Sequence, residues 1–322
     1  MFTLSELEAA AEIVGGHMPP TPQYRWPLLS RRAGCDVHVK HENHSPIGAF
    51  KVRGGIIYMD ELVRSGAKVA GVISATRGNH GQSVARAATA VGLDSVILVP
   101  HGNSTEKNAA MRAFGAELIE HGADFDEAKD EAIRLAETRN LHMVPSFHAA
   151  LVKGVATGSR EFLTAFDDLD TVYVPIGMGS GVCAMIMARD LLGAKTEVVG
   201  VVSANAPCIA LSVAAGKPVP TNTAATFADG MACRVPDASA LAVISKGAAR
   251  IVTVAEDEIA DAIRTIYEDT HNLAEGAGAA AFAALMQERG KMAGKRVGVV
   301  LSGGNIDRAV FAEVLAGRTP KV

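Results

Sequence analysis

His41-Glu42-Asn43-His44-Ser45-Pro46-Ile47-Gly48-Ala49-Phe50-Lys51-Val52-Arg53-Gly54-Gly55 decides the fold, because it reads as a strand end turning into a helix start with a lysine at the turn. Two glycine-bearing loops lie far from it in sequence, Gly177-Met178-Gly179-Ser180-Gly181 and Ser302-Gly303-Gly304-Asn305, each behind an apolar strand. Glycines let backbone N–H groups close on a phosphate, and the start of a helix favours the negative charge. Lys51 and the two loops are therefore read as converging on one phosphorylated ligand.

Outward from that stretch, short β-branched runs alternate with alanine-rich helical stretches, the pattern of parallel strands covered by helices on both faces. The expected strands are 36–40, 69–74, 95–100, 171–175, 197–202, 250–254 and 297–301. The expected helices are 4–14, 82–91, 105–114, 124–139, 256–270 and 276–288, with Ser5 and Thr105 as caps. The fold class is α/β, doubly wound. No repeat, low-complexity tract or proline-rich linker marks a domain boundary.

At 322 residues and 48% apolar composition the chain has material for one α/β enzyme body of two lobes. A formal net charge of −4 and the lack of any Lys/Arg-rich block argue against nucleic-acid or membrane-surface partners and for a small metabolite. Cys35, Cys183, Cys208 and Cys233 are widely spaced without a C-x-x-C, so neither a disulfide framework nor a zinc site is expected, only reduced thiols. The first residues lack a signal-peptide pattern and no apolar run is long enough to span a bilayer, which leads to the expectation of a cytoplasmic protein.

Together with Thr76-Arg77-Gly78-Asn79-His80-Gly81-Gln82, these motifs resemble the pyridoxal 5'-phosphate (PLP) enzymes of the threonine/serine dehydratase and serine racemase family. Thr226-Phe227-Ala228-Asp229-Gly230-Met231-Ala232 and Glu275-Gly276-Ala277-Gly278 are close to further blocks of that family. The resemblance extends over nearly the whole chain and implies a two-lobed fold type II PLP enzyme, similar to tryptophan synthase β. It implies a small domain at 52–147 set into a large cofactor-binding domain of 1–51 and 148–322, with the cofactor in the cleft, and a homodimer. The sequence stops at Val322 without the C-terminal regulatory domain of feedback-controlled relatives, so a catabolic or unregulated enzyme is expected.

The resemblance assigns roles residue by residue. Lys51, beside Phe50, is the Schiff-base lysine, which must become neutral near neutral pH to act later as a base. Relatives usually carry Ser-Phe-Lys where this chain has Ala49-Phe50-Lys51. Gly177, Met178, Gly179, Ser180 and Gly181 stand where the family has four consecutive glycines around the cofactor phosphate. Asn79 resembles the asparagine that bonds the phenolic oxygen. Thr76, Arg77, Gly78, Asn79 and His80 form the loop before a helix start suited to the substrate carboxylate.

Many relatives have serine where this chain has Arg77, and in serine racemases that serine is the acid/base opposite the lysine. Arginine stays protonated and cannot fill that role, which disfavours racemisation. Arg77 reads either as a solvent-facing charge or as a clamp for an anionic group on the substrate. Ser302 matches the serine facing the pyridine nitrogen, where a hydroxyl favours β-elimination over transamination.

His38, His41 and His44 do not suit a metal, because a spacing of three on an extended chain cannot aim successive rings at one ion. Relatives with a divalent-cation site carry acidic ligands in the stretch that here runs from Val201 to Cys208 without a carboxylate, so no such metal is expected. The expected activity is PLP-dependent dehydration of a 3-hydroxy-α-amino acid (threonine, serine, 3-phenylserine or 3-hydroxyaspartate) to a 2-oxo acid and ammonia. An amino-acid racemase, a β-replacement synthase and a non-catalytic phosphate-binding module are the alternatives.

Overall fold

The computed structural model describes residues 1–321. Its strands are β1 Gln23–Arg25, β2 Asp36–His41, β3 Gly71–Ala75, β4 Asp94–Val99, β5 Ala116–Glu120, β6 Leu141–Met143, β7 Thr171–Pro175, β8 Glu197–Ser203, β9 Arg250–Val254 and β10 Arg296–Leu301. The chain divides into two compact units, Met1–Pro19 with Lys51–Val155, and Pro20–Phe50 with Ala156 to the end of the described residues.

The first unit is built on a parallel sheet of order β5-β4-β3-β6. Every residue of β3 is buried, as is required of a strand with helices on both faces. Helix Phe125–Thr138 contributes Ala128 and Ala132 to the cluster with Ile73, Ala75, Val96 and Leu98. Glycine sets the close approach of helix Lys51–Arg64 to its neighbours. A Cβ on Gly55 would collide with the Ser83 hydroxyl, one on Gly54 would lie 2.9 Å from the Leu151 carbonyl oxygen, and one on Gly154 would collide with the Arg53 carbonyl.

Helix Leu4–Gly15 also belongs to this unit, burying Leu7, Ala10 and Val14 and packing against helix Lys51–Arg64. The sequence reading put residues 1–51 with the larger lobe and set limits at 51/52 and 147/148, whereas the units divide at 19/20, 50/51 and 155/156. The apolar face of the first helix accounts for the division at 19/20, since it finds its partner in the unit that holds Lys51.

The second unit carries a sheet of order β1-β2-β10-β7-β8-β9, parallel except for the antiparallel edge strand β1. Strand β7 is wholly buried. Helix Gly276–Gln287 is buried almost throughout, in keeping with an alanine-rich sequence that is apolar all round. Behind it, the buried Glu288 carboxylate accepts from Tyr173 Oη at 2.7 Å, from Arg250 Nη2 at 2.6 Å and from Lys291 Nζ at 2.9 Å.

Several boundaries differ from expectation. The first helix is capped by Thr3, whose hydroxyl accepts from the Glu6 N–H while the Glu6 carboxylate accepts from the Thr3 N–H, so Ser5 lies inside the helix. Ser104 caps the helix that Thr105 begins. The expected helix at 82–91 starts at Asn79, which places Asn79 and His80 in its first turn. Helices Ala149–Ala165 and Ser180–Leu192 are absent from the expected set. Interior glycines and β-branched residues weaken their signals, and burial supplies what propensity does not.

Candidate active site

In the second unit the segment leading to Lys51 is pinned residue by residue to the loop after β10. Phe50 N–H donates to the Ser302 carbonyl at 3.0 Å, Gly304 N–H to the Gly48 carbonyl at 2.9 Å, and Asn305 Nδ2 to the Ile47 carbonyl at 2.8 Å. Ser45 Oγ donates to the Ala49 carbonyl at 2.7 Å, closing the turn from within. Gly48 has φ 69°, a left-handed conformation that favours glycine, and a Cβ there would lie 2.6 Å from Asn305 Oδ1. Phe50 is therefore held at a fixed point beside Ser302, itself buried.

The loop 177–181 lies on the same framework. A Cβ on Gly177 would collide with the Gly230 carbonyl, Gly179 has φ 102°, and a Cβ on Gly181 would lie 3.7 Å from the Phe50 ring. Helix Ser180–Leu192 begins here with no side-chain cap at Gly179, and its first internal bond runs from Cys183 N–H to the Gly179 carbonyl. The first turn thus presents its N–H groups along the loop, with the positive end of the helix dipole behind them.

The other motif blocks of this unit buttress the same place. A Cβ on Gly278 would collide with the Gly303 carbonyl, and Glu275 N–H donates to that carbonyl at 3.1 Å. Glu256, which the sequence reading missed, accepts from Thr226 Oγ1, from Phe227 N–H and from Ser203 Oγ, fixing the 226–228 turn. An acidic residue opening an exposed-looking helix carries no signal for that task.

In the first unit Lys51 opens helix Lys51–Arg64. Its side chain is half-buried, and burial pushes its ammonium down to about 8. Its carbonyl accepts from Ser83 Oγ at 2.6 Å, a contact across 32 positions that the sequence reading did not single out. Thr76 is buried and its hydroxyl accepts from Gly78 N–H at 3.0 Å, forming the turn into the helix that Asn79 begins.

His80 is buried close enough to feel the Lys51 charge. Burial above all, with Lys51 adding to it, pushes its imidazole down to about 3, so the ring is neutral. Its hydrogen bond is to the Val144 backbone, and Nε2 has no hydrogen-bond partner. Arg77 is exposed. The first unit thus groups Lys51, Thr76, Gly78, Asn79 and His80 at two adjoining helix starts, and the second groups Phe50, the 177–181 loop and Ser302.

Of the three histidines read against a metal, His41 and His44 lie with ring centroids 5.3 Å apart, while each makes its own hydrogen bond elsewhere. The His38 ring lies tilted against Phe166 with centroids 4.4 Å apart, His41 Nε2 accepts from Trp26 Nε1 at 2.9 Å, and His44 Nε2 hydrogen-bonds Asn272 at 2.6 Å.

A family model described as pyridoxal-phosphate dependent enzyme matches residues 14–303. The chain belongs to that family. It is 34% identical over 290 residues to the biosynthetic L-threonine dehydratase of Pasteurella multocida, covering 89% of this chain and 56% of the relative. It is 37% identical over 289 residues to an L-threonine ammonia-lyase of Geobacter sulfurreducens, covering 89% and 71%. The chain thus spans little more than half the length of the first of these relatives.

Among solved structures it resembles the processed threonine deaminase isoform 2 of Solanum lycopersicum, with a TM-score of 0.88, 29% identity and coverage of 98% and 95%. It also resembles a PLP-dependent aspartate racemase, with a TM-score of 0.90, 25% identity and coverage of 95% and 96%.

The cofactor of this family member is PLP. The residues present fit it: an amine held near neutrality by burial suits an aldehyde, and a glycine-lined, uncapped helix start suits a phosphate monoester.

Proposed function

We propose that the protein removes water from a 3-hydroxy-α-amino acid to give a 2-oxo acid and ammonia. The observation that carries this reading is Lys51, an amine lowered to about 8 by burial at a helix start. The two relatives named for reactions of threonine support the choice of reaction. In this reading the residues that contact PLP are Lys51 and Asn79, and Phe50, Gly177, Met178, Gly179, Ser180, Gly181 and Ser302. When bound, PLP supplies an electron sink for the pair left at Cα.

The chain's own residues do the rest. Lys51, as a neutral amine, takes the Cα proton, a task for which an amine near pH 8 is well matched. The first turn of helix Asn79–Ala90, with Thr76, Arg77, Gly78, Asn79 and His80 around its start, holds the substrate carboxylate on backbone N–H groups. The neutral His80 ring adds no cation beside Lys51.

The likeness to an aspartate racemase raises the competing reading, Cα inversion. Inversion needs a proton donor on the face opposite Lys51, and the guanidinium at position 77 cannot surrender a proton. We take threonine and serine as the first substrates, a homodimer as the assembly and the cytoplasm as its place. Purified PLP-loaded enzyme, offered separate stereoisomers of threonine, serine, 3-phenylserine and 3-hydroxyaspartate, releases 2-oxo acid and ammonia in equal amounts from at least one. No such release from any of them defeats the proposal.

A further inference from the structure

Spacing kept the four cysteines apart, but the fold brings two of them together. Cys208 opens helix Cys208–Ala215 and Cys233 follows the turn Asp229–Met231; their thiols share a hydrogen bond. A third sulfur completes the group, since Cys233 Sγ lies 3.3 Å from Met178 Sδ. Both thiols are buried, at 0% and 5% exposure, whereas Met178 is only half-buried and leaves a way in.

The group is held firmly. Cys233 Sγ also contacts the Val235 carbonyl at 3.3 Å, and the loop bearing Met178 is seated on the Gly230 carbonyl two residues before Ala232. Among the described residues no three His, Cys, Asp or Glu side chains gather as ligands, so hard or borderline cations have no such set here. Two thiols with a thioether are a different donor set, soft and low in coordination number, which selects a d10 monovalent ion.

We propose that Met178, Cys208 and Cys233 bind one Cu⁺ per chain through their sulfur atoms. The thiol protons leave to solvent as the Cu–S bonds form, and neither copper nor sulfur changes oxidation state. A disulfide would use two of the three sulfurs and leave the Met178 contact without a part. The site shares Met178 with the loop proposed above to hold the cofactor phosphate, while Cys208 and Cys233 have no part in that reaction, and its test reads no catalysis.

The reduced holoenzyme is titrated anaerobically with Cu⁺ against bicinchoninate, and bound copper is counted by its transfer from the coloured complex. One Cu⁺ per chain is expected. Cys208→Ser and Cys233→Ser should each weaken binding by more than the roughly tenfold to hundredfold lost with an outer contact, and Met178→Leu, which keeps the apolar volume, should weaken it as well. Cys35→Ala and Cys183→Ala, at buried thiols elsewhere, should bind as the parent does, and near-ultraviolet circular dichroism establishes that each variant is folded. No stoichiometric copper, or copper retained by folded Cys208→Ser and Cys233→Ser, overturns the proposal. So does a reduced protein that takes up none while its oxidised form carries a Cys208–Cys233 disulfide.

Discussion

In the proposed reaction Lys51 and Arg77 differ in what each can release. An amine brought down to about 8 by burial is available as a base near neutral pH, whereas a guanidinium is not available as an acid. Incubation of one enantiomer of serine or threonine should therefore yield 2-oxo acid with little Cα epimer. Epimer accumulating at a rate comparable to 2-oxo acid release would contradict this. Lys51 was singled out because glycines and a strand end frame it, and Asn79 by the family resemblance. Ser83 was not, since nothing in a serine four positions after Asn79 says that its hydroxyl will reach the Lys51 carbonyl. The Met178, Cys208 and Cys233 group was likewise hidden, because proximity across two loops leaves no spacing to read.

Helices and strands were legible in proportion to how strongly burial patterns their sequences. Strands β3, β7 and β10 are apolar runs covered on both faces and appear as such, whereas β1 and β6 are too short to stand out. Helix starts were misread where several capping residues compete: Thr3 wins over Ser5 because Glu6 lies three residues after it and completes the box. Glycine packing was not legible at all, because the demand for a missing Cβ comes from the neighbouring helix.

Gly154→Ala brings a methyl group onto the Arg53 carbonyl, beside the helix that Lys51 opens. Overpacking of this kind costs about 1–3 kcal/mol, read as a lower urea midpoint with an unchanged slope; an unchanged midpoint would refute the close packing. Glu288 gives a second check within the other unit. Burial alone would raise its carboxyl, but hydrogen bonds from Arg250, Lys291 and Tyr173 outweigh it and push the group down to about 2. With the folded value below the ordinary carboxylate value, its stabilisation is present above about pH 4.5 and is lost as pH falls toward 2. Glu288→Gln should therefore cost about 1–3 kcal/mol at pH 7, and the gap from the parent should close on acidification. A gap that stays constant from pH 7 to pH 3 would contradict that assignment.

Across the whole molecule, the α/β class and the parallel sheets could be read from alternation of strand and helix, and the family from motifs scattered over residues 41–305. The division into units could not be read from composition, because no linker marks it and the first helix joins a partner that lies beyond residue 50. Membership of the PLP-dependent family fixes the cofactor, and the lysine that carries it is the central claim. Borohydride reduction of the PLP-loaded enzyme, followed by peptide mass mapping, tests that claim most directly. The pyridoxyl phosphate group should be found on the peptide containing Phe50 and Lys51, with the absorbance of the lysine-bound cofactor abolished at the same time. The group found on another lysine, or on none, would contradict it.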